Sequence, residues 1–266
     1  MNQINRVLTF VVCIGLSITA QAADSGKGQE VSGGPIGIES IGGPDGFGYG
    51  YIDSNESNGQ QPTFSFVDIT ATGTALGLTD DGEADVVISS FVFPFYGLNY
   101  TDVRVGNNGG LLLGTPGDGD VSATTQCPMP WVALPLPAIN VFWDDIDDET
   151  GNVFVEEQAS CAHPDCSGAC LIVEWFDRPH FNNVGSVTFE VILCDSGDII
   201  AQYEDVVFGN PSYDYGAAAA VGIEADHQDP TFFLQYSCGT ADLSDGLAIK
   251  YTTGPVPVEL MSLDVE

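Results

Sequence analysis

Short apolar runs separated by turn residues make up most of the chain from residue 49 onward. The runs that predict strands include PTFSFVDI, ADVVISSFVFPFYG, AINVFW, NVFVEE, CLIVEWF, VTFEVILC, DIIAQYEDVVF and GLAIKYT. Gly, Asn, Asp or Pro separates nearly every pair of runs, a spacing typical of antiparallel sheets. The clearest hairpin is VTFEVILCDSGDIIAQY, with residues 195–198 as its loop. Because no later segment shows a sustained 3.6-residue period, the pattern predicts an all-β fold, a jelly-roll-like antiparallel β-sandwich with few or no helices.

The N-terminal residues 1–22 have the layout of a secretory signal peptide. Arg6 is their only charge, VLTFVVCIGLSITA is an apolar core, and residues 20–22 form a small-x-small cleavage site. Cys13 lies within the apolar core without a lipobox, so we do not expect lipidation there. The leader predicts a protein that is secreted and is extracellular or held at the cell surface.

Three further segments follow this leader. Residues 23–48 are rich in Gly, Ser and Pro and predict an extended leader into the domain. Residues 49–252 carry the strand pattern and predict a single β-sandwich domain. Residues 253–266 follow a Gly-Pro break and predict a tail or a lone strand that serves attachment or assembly.

The chain is strongly acidic, with 38 Asp and Glu against five Lys and Arg and a formal net charge of −33. Such a charge repels nucleic acid and anionic membrane, so we expect neither as a partner. No segment after the leader reaches the roughly 18 apolar residues of a spanning helix, so we expect no direct membrane insertion. The acidity suits divalent cations, a cationic partner or a high-salt medium. Since 44% of the residues are hydrophobic, the chain can still bury a sizeable core.

Six cysteines follow the leader, and an even count in an exported protein predicts a disulfide framework. They are Cys127, Cys161, Cys166, Cys170, Cys194 and Cys238. Many connectivities are possible, and the one we expect pairs Cys194 with Cys238, because both close hydrophobic strands. Cys161 would then pair with Cys170, leaving Cys127 for Cys166. The competing interpretation is a zinc site built from CAHPDCSGAC, but its ligand spacing fits no common zinc module.

The segment FWDDIDDETGN places five carboxylates between two strand-like runs. The candidate metal ligands are Asp144, Asp145, Asp147, Asp148 and Glu149. Converging carboxylates suit Ca²⁺ better than zinc, because Ca²⁺ prefers oxygen ligands. Gly151 comes one position late for an EF-hand, so we reject that motif. A structural or solvated turn is the leading interpretation, Ca²⁺ binding comes close behind it, and a pair of catalytic carboxylates has less support; the clusters TDDGEADV, GDGDV and EADHQDP are weaker candidates of the same kind.

Nucleophilic catalysis has little support in the sequence. The chain has neither a G-x-S-x-G nor an H-E-x-x-H motif, and it contains three His. A carboxylate pair at the spacing used for glycoside hydrolysis arises by chance among so many acidic residues. Trp131, Tyr213 and Tyr215 are able to stack on a sugar, although packing in the core or in turns explains them better. We therefore expect a protein that is not an enzyme.

Three segments resemble nidogen-like extracellular domains in order and spacing. They are FVFPFYGLNYTDVRVGNNGGLLLG, AINVFWDDIDDETGNVFVEE and LIVEWFDRPHFNNVGSVTFEVILCDSGDIIAQYEDV. The continuation AAVGIEADHQDPTFFLQYSC, followed by DGLAIKYT, looks like a bacterial secreted variant of the same NIDO-type domain. The resemblance covers roughly residues 42–252. It implies a β module of the cell surface or extracellular matrix and supplies no catalytic residues.

These observations predict a secreted, non-enzymatic module with a structural, adhesive or binding role, stabilised by disulfides, with Ca²⁺ as a candidate bound cation. The expected partner is another extracellular protein, a glycan, or a second copy of the chain. One alternative is a subunit of an extracellular polymer in which a terminal strand completes a neighbour's sheet. The other is a glycan-binding or glycan-cleaving domain, which a groove lined by aromatic side chains would favour.

Overall fold

The computed structural model describes residues 40–114, 121, 123–131, 137–182, 184–225 and 229–255. Within these residues the chain forms sixteen β-strands and one 3₁₀ turn at Asp214–Gly216. In chain order the strands are β1 (Ile41–Gly42), β2 (Gly50–Asp53), β3 (Thr74–Ala75), β4 (Glu83–Val87), β5 (Phe93–Phe95), β6 (Leu98–Tyr100), β7 (Asp102–Gly106), β8 (Gly110–Leu113), β9 (Ala138–Trp143), β10 (Asn152–Gln158), β11 (Cys170–His180), β12 (Val184–Cys194), β13 (Ile199–Asp205), β14 (Ala220–Glu224), β15 (Phe233–Cys238) and β16 (Leu247–Thr252).

The strands form two large antiparallel sheets and one small hairpin. Sheet A has eight strands in the order β1-β2-β16-β13-β12-β11-β10-β3, and sheet B has six in the order β15-β14-β9-β8-β7-β4. The hairpin β5-β6 stands apart from both. Every strand pairing in the described part of the chain is antiparallel. The predicted all-β antiparallel sandwich is confirmed.

The core lies between sheets A and B and follows from strict alternation along the strands. On β11, Leu171, Val173 and Trp175 point into the core, and Ile172 and Glu174 point to the outer face of sheet A. Sheet B contributes the inward side chains of Val103, Val105, Leu111, Leu113, Ile139, Val141, Val221 and Ile223. Burial of each such aliphatic side chain contributes about 1.5–3 kcal/mol.

Two polar groups within the core join the sheets directly. The indole Nε1 of Trp175 donates to the carbonyl oxygen of Gly106 at 3.0 Å. The hydroxyl of Tyr203 donates to the carbonyl oxygen of Val141 at 2.7 Å. Since buried polar groups are costly when unpaired, these bonds let large aromatic side chains fill the core without a polar penalty.

A covering segment, residues 62–69, lies on the outer face of sheet A. The sequence PTFSFVDI predicted a strand here, and that prediction is wrong, because the segment pairs with no strand in the described residues. Its backbone N–H groups instead bond side chains that project from β11, β12 and β13. Alternation of side chains indicates an extended chain, but it does not reveal which groups accept its hydrogen bonds.

All six cysteines that follow the leader form disulfides. The pairs are Cys127–Cys238, Cys161–Cys170 and Cys166–Cys194. The predicted framework and the Cys161–Cys170 pair are confirmed, and the predicted Cys194–Cys238 and Cys127–Cys166 pairs are wrong. The zinc interpretation of this cluster is also wrong, because its three cysteines are engaged in disulfides.

The position of each cysteine in the two sheets explains the correction. Cys194 lies opposite Cys170 on the outer face of sheet A, in an apolar cluster with Cys166. Cys238 ends β15 in sheet B and belongs to a different cluster, beside Trp131. A bond between Cys194 and Cys238 would have to join two separate layers of the fold.

Several predicted segments fall on residues outside the described ranges. The signal peptide, residues 1–22, and the leader up to residue 39 lie outside them, as does the tail beyond residue 255. The described end of the leader is part of sheet A, because Ile41 pairs with Ile52. Among the described residues, no helix is long and apolar enough to cross a membrane.

The disulfides give a first testable expectation. Replacing Cys127 and Cys238 by Ser should lower the free energy of unfolding more than replacing Cys161 and Cys170, because the sequence separations are 111 and 9 residues. Loop-closure entropy predicts a difference of about 2 kcal/mol. Denaturant unfolding of the two double variants measures it. Equal losses, or free thiols in the unreduced chain, would contradict the assigned framework.

Candidate cation site and binding groove

The acidic loop between β9 and β10 holds all five predicted carboxylates, and the structure separates them. Asp144 is buried at the end of β9, and its Oδ1 accepts the backbone N–H of Asp145 at 2.9 Å. Asp147 Oδ1 accepts the backbone N–H of Asp148 at 2.6 Å. Glu149 lies at a separate cleft of about 270 Å³ beside the β-bulge of β11. Turn chemistry therefore accounts for part of the cluster, as one of the three interpretations expected.

Asp145 instead joins two carboxylates from the turn before β4. Asp80, Asp81 and Asp145 each bring one carboxylate oxygen within 4.8 Å of the other two. Oxygen ligands of Ca²⁺ lie about 2.3–2.6 Å from the ion, so three oxygens at this separation are able to share one cation. The sequence placed Asp80 and Asp81 in a weaker, separate cluster. Their proximity to Asp145 arises only in the fold.

Two buried asparagines of the β7–β8 turn fix the acidic loop in place. Asn108 Nδ2 donates to Asp81 Oδ1 at 2.8 Å, and Asn108 Oδ1 accepts the backbone N–H of Ile146 at 2.9 Å. Asn107 Nδ2 donates to the carbonyl oxygen of Ile146. Asn108 thereby joins the turn of Asp81 to the loop of Asp145, so the carboxylates are held near one another by groups outside the cluster.

The cluster is electrostatically unfavourable by itself. Burial raises the pKa of Asp145 to about 6, and the charges of Asp81, Asp80 and Asp144 add to the increase, while His180 opposes it. Burial and the neighbouring charge of Asp81 also raise the pKa of Asp80. Like charges held together favour either a proton or a bound cation.

Arg178 lies beside this loop and bonds its backbone rather than its clustered carboxylates. Its guanidinium is buried and donates to Asn107 Oδ1, to the carbonyl oxygen of Thr150 at 3.1 Å and to that of Leu78 at 3.4 Å. Burial lowers the pKa of Arg178. The arginine therefore holds backbone segments together, and none of these three bonds goes to the clustered carboxylates.

A second feature is an aromatic groove of about 230 Å³ beside the β5–β6 hairpin. It is lined by Tyr96, Leu98, Tyr100, Pro137, Ala225, Asp229 and Phe232. Leu98 is 62% exposed, and Phe47, whose ring centroid lies 5.6 Å from that of Phe232, is 39% exposed. The groove therefore presents apolar surface to solvent on a strongly acidic chain.

The turn of the hairpin fixes the shape of this groove. Tyr96 and Gly97 both have positive φ, at 45° and 78°, which indicates the tight two-residue turn that follows the twist of a hairpin. The hydroxyl of Tyr96 donates to Asp45 Oδ2 at 2.7 Å, and its ring stacks on Phe232 at 5.8 Å between centroids. These contacts hold a non-glycine residue in a strained conformation, which is typical of functional surfaces.

The aromatic residues that the sequence singled out for sugar stacking lie elsewhere. Trp131 packs on Trp143, with 4.9 Å between ring centroids, and Tyr213 stacks on His180 at 3.7 Å. Tyr215 packs against the core. The packing interpretation of these three residues is thus confirmed. The groove residues Tyr96, Tyr100 and Phe232 were missed, because their sequence pattern is that of ordinary strand and turn residues.

The acid–base pair nearest to a catalytic arrangement is His180 with Asp144. His180 Nε2 lies 3.7 Å from Asp144 Oδ2, which is too long for a hydrogen bond. The two residues are 1% and 3% exposed, so the pair lies beneath the surface. Of the other histidines, His163 lies under the covering segment, with Nε2 3.1 Å from the carbonyl oxygen of Thr63, and His227 lies outside the described residues.

One protein-family model matches the part of the chain that contains most of these features. A family model described as NIDO related matches residues 57–256, about three quarters of the chain. The matched region includes the covering segment, the cation cluster and all the strands from β3 to β16. No curated protein and no solved structure matches the chain. The resemblance to nidogen-like domains is confirmed, and its bacterial, secreted form stays a prediction.

The role of Asn108 gives a second testable expectation. Asn108→Ala removes the acceptor of the buried Ile146 N–H and the donor to Asp81, so it should lower the free energy of unfolding by about 2–3 kcal/mol. The control is Asn99→Ala on the exposed strand β6, which should change it by less than about 0.5 kcal/mol. Denaturant unfolding compares the two. Similar losses in both variants would show that Asn108 does not hold the loop.

Proposed function

The chain belongs to the NIDO-related family, and we propose that it is a non-enzymatic binding module that acts outside the cell. Family membership and three disulfides fit an extracellular β module. The observation that carries the binding role is the aromatic groove, with Leu98 62% exposed at its edge. Apolar side chains exposed together beside a concave groove, rather than scattered singly, are a feature of interaction sites.

The groove favours a protein partner that carries positive charge and an apolar anchor. Sugar binding uses exposed ring faces, whereas Tyr96 is mostly buried and stacks on Phe232. Leu98 offers an aliphatic contact that suits an apolar side chain. A net charge of −33 attracts a basic protein and repels a second copy of the chain, so homopolymer assembly is the weaker alternative.

The groove gives a third testable expectation. The purified chain is incubated with the cells and extracellular material of its source, and the retained fraction is measured at low and high salt. Leu98→Ser combined with Tyr100→Ala should reduce retention at least tenfold, because the contact surface is lost. The matched control is Val87→Ser, which removes an apolar side chain that is 65% exposed on β4, outside the groove.

The outcomes separate the candidate partners. A basic protein partner is supported if the Val87→Ser control is still retained, the groove variant is not, and high salt weakens the retention. Release by soluble oligosaccharides would instead identify a glycan ligand. Equal retention of the groove variant and the control would show that the groove is not the contact surface.

We also propose that Asp80, Asp81 and Asp145 bind Ca²⁺ and so join two loops at one end of the sandwich. The support is that their oxygens lie within 4.8 Å of one another, and that Asn108 fixes the positions of Asp81 and of the loop of Asp145. Binding to the folded state alone contributes about 2.7 kcal/mol at a hundredfold excess over Kd. Ca²⁺ would also relieve the repulsion that raises the pKa of Asp145.

A fourth expectation follows for thermal stability. Ca²⁺ should raise the melting temperature more than Na⁺ at matched ionic strength, since screening alone stabilises any chain of this charge. Asp145→Asn should abolish the Ca²⁺-specific increment. Asp147→Asn is the control, because Asp147 bonds the backbone of its own turn and lies outside the three-carboxylate cluster. Equal shifts by the two ions in the unmodified chain would refute the cation site.

A further inference from the structure

The covering segment is attached to sheet A through side chains rather than through a β-ladder. Alternate backbone N–H groups point down at the sheet: Ser65 donates to Gln202 Oε1 at 2.6 Å, Val67 to Glu190 Oε1 at 3.0 Å and Ile69 to Glu174 Oε2 at 2.8 Å. The acceptors belong to three neighbouring strands. The segment therefore crosses the strands and is held by a short row of side-chain acceptors.

The register of the strands creates this row. Glu174 on β11 lies opposite Glu190 on β12, and Glu190 lies opposite Gln202 on β13. All three side chains are fully buried. Directly opposed residues on neighbouring antiparallel strands have Cβ atoms about 5 Å apart. The two glutamate side chains therefore lie side by side in a site that the covering segment closes to water.

Each carboxyl group uses one oxygen and leaves the other without a partner. Glu190 Oε1 accepts from Val67 and from Gln202 Nε2, the latter at 2.6 Å, whereas Glu190 Oε2 has no hydrogen-bond partner. Glu174 Oε1 is likewise buried and unpartnered. A buried, unpaired carboxylate oxygen is costly, but a protonated oxygen gains a donor and loses its charge.

We propose that Glu174 and Glu190 form a proton-binding site that fastens the covering segment to sheet A, and that loss of these protons releases the segment. With a proton bound, each carboxyl keeps an acceptor for the N–H above it, and the facing pair need not carry two charges. With both protons lost, two buried negative charges oppose each other beneath the segment. Opening the segment then admits water to both groups.

The charges around the pair reinforce this behaviour. Burial raises the pKa of Glu174 to about 7, and the charges of Asp68 on the covering segment and Glu204 on β13 add to it. Burial raises the pKa of Glu190 to about 8, with Glu174 and Glu204 adding to it. Because the groups interact, the two titration steps belong to the pair rather than to either residue.

The other charged groups of the covered face are engaged at its margins. On β10, Glu156 accepts from Thr72 Oγ1. On β16, Lys250 Nζ lies 2.8 Å from Asp198 Oδ2. In the neighbouring loop, Asp165 Oδ2 accepts the backbone N–H of Thr63 at 2.6 Å, and burial lowers the pKa of His163. The charges that act on the glutamate pair are therefore acidic and disfavour its ionised form.

The direction of the pH effect follows from these raised values. An unfolded glutamate has a pKa of 4.5, so above that pH the folded chain holds protons that the unfolded chain has lost. The contribution of the pair to stability is complete below that value and is lost as pH rises through about 7 and about 8. The attachment of the covering segment should weaken over the same range.

The test measures hydrogen exchange at the backbone amides of Ser65, Val67 and Ile69 in the full chain. Samples are labelled between pH 6 and pH 9.5 in the presence of a chelator, for times scaled to the intrinsic exchange rate. The protection factors of these amides should fall at least tenfold across the range. The amide of Val191 within β12 serves as an internal reference and should keep its protection.

Two variants identify the responsible groups. Glu190→Gln is uncharged at every pH and imitates the protonated side chain, so the fall in protection should shrink to less than threefold. Glu204→Gln removes an exposed charge on the same face of β13 that adds to both raised pKa values, so it should keep the tenfold fall and move its midpoint to lower pH. If Glu190→Gln does not fold, Glu174→Gln replaces it with the same expectation.

Three outcomes would overturn the proposal. Protection that is independent of pH in the unmodified chain shows that the pair does not control the segment. A full pH response in the glutamine variant assigns the effect to other groups. Restoration of protection at pH 9.5 by Ca²⁺ or Na⁺, each added alone, would make the pair a metal site rather than a proton site.

Discussion

Burial of β11, β12 and β13 on both faces is the constraint on which the rest of the structure depends. Their inner face packs on sheet B through Trp175, Phe189 and Tyr203. Their outer face is closed by the covering segment and by the loop that the Cys161–Cys170 and Cys166–Cys194 disulfides hold. Strands of an antiparallel sheet often leave one face in water, whereas these strands need other parts of the chain to cover their outer face as well.

The need to cover this outer face explains the polar groups inside the fold. A covering segment without strand partners brings backbone N–H groups into a buried space, and each needs an acceptor. The row of Glu174, Glu190 and Gln202 supplies the acceptors, at the cost of burying two carboxyl groups. A similar exchange occurs at the other site, where Asn107 and Asn108 satisfy the backbone around Ile146 and thereby place acidic groups near one another. In both places the need to pair buried backbone N–H and C=O groups determines where acidic side chains come together.

How much of the fold could be predicted from the sequence depends on how far apart in the chain the interacting residues lie. The strands β9 to β13 and the hairpin loop at residues 195–198 were predicted, because alternation and turn residues are local signals. The covering segment was predicted as a strand, since extended geometry shows the same alternation whether its N–H groups bond a strand or a glutamate. The partner of Cys194 depends on which face of which sheet each cysteine occupies.

The candidate sites show the same limit. Asp145 was identified, but Asp80 and Asp81 reach it from a turn more than sixty positions earlier, and no local pattern records that distance. The groove combines a hairpin with a loop near Phe232, so its exposure is a property of the assembled fold. Exposed apolar residues such as Leu98 look like core residues in the sequence, and only their position at the edge of the fold distinguishes them.

The separation of charge and apolar surface has a consequence for recognition. Under the proposed function, the acidic groups spread over the chain would attract a basic partner from a distance and set an association rate that falls as salt rises. The groove would then set how long such a complex lasts, because dissociation would return Leu98 and its neighbours to water. A partner that satisfied only the charge would bind quickly and leave quickly. Under this proposal specificity would arise in the groove, where the turn at Tyr96 and its bond to Asp45 fix the shape before any partner arrives.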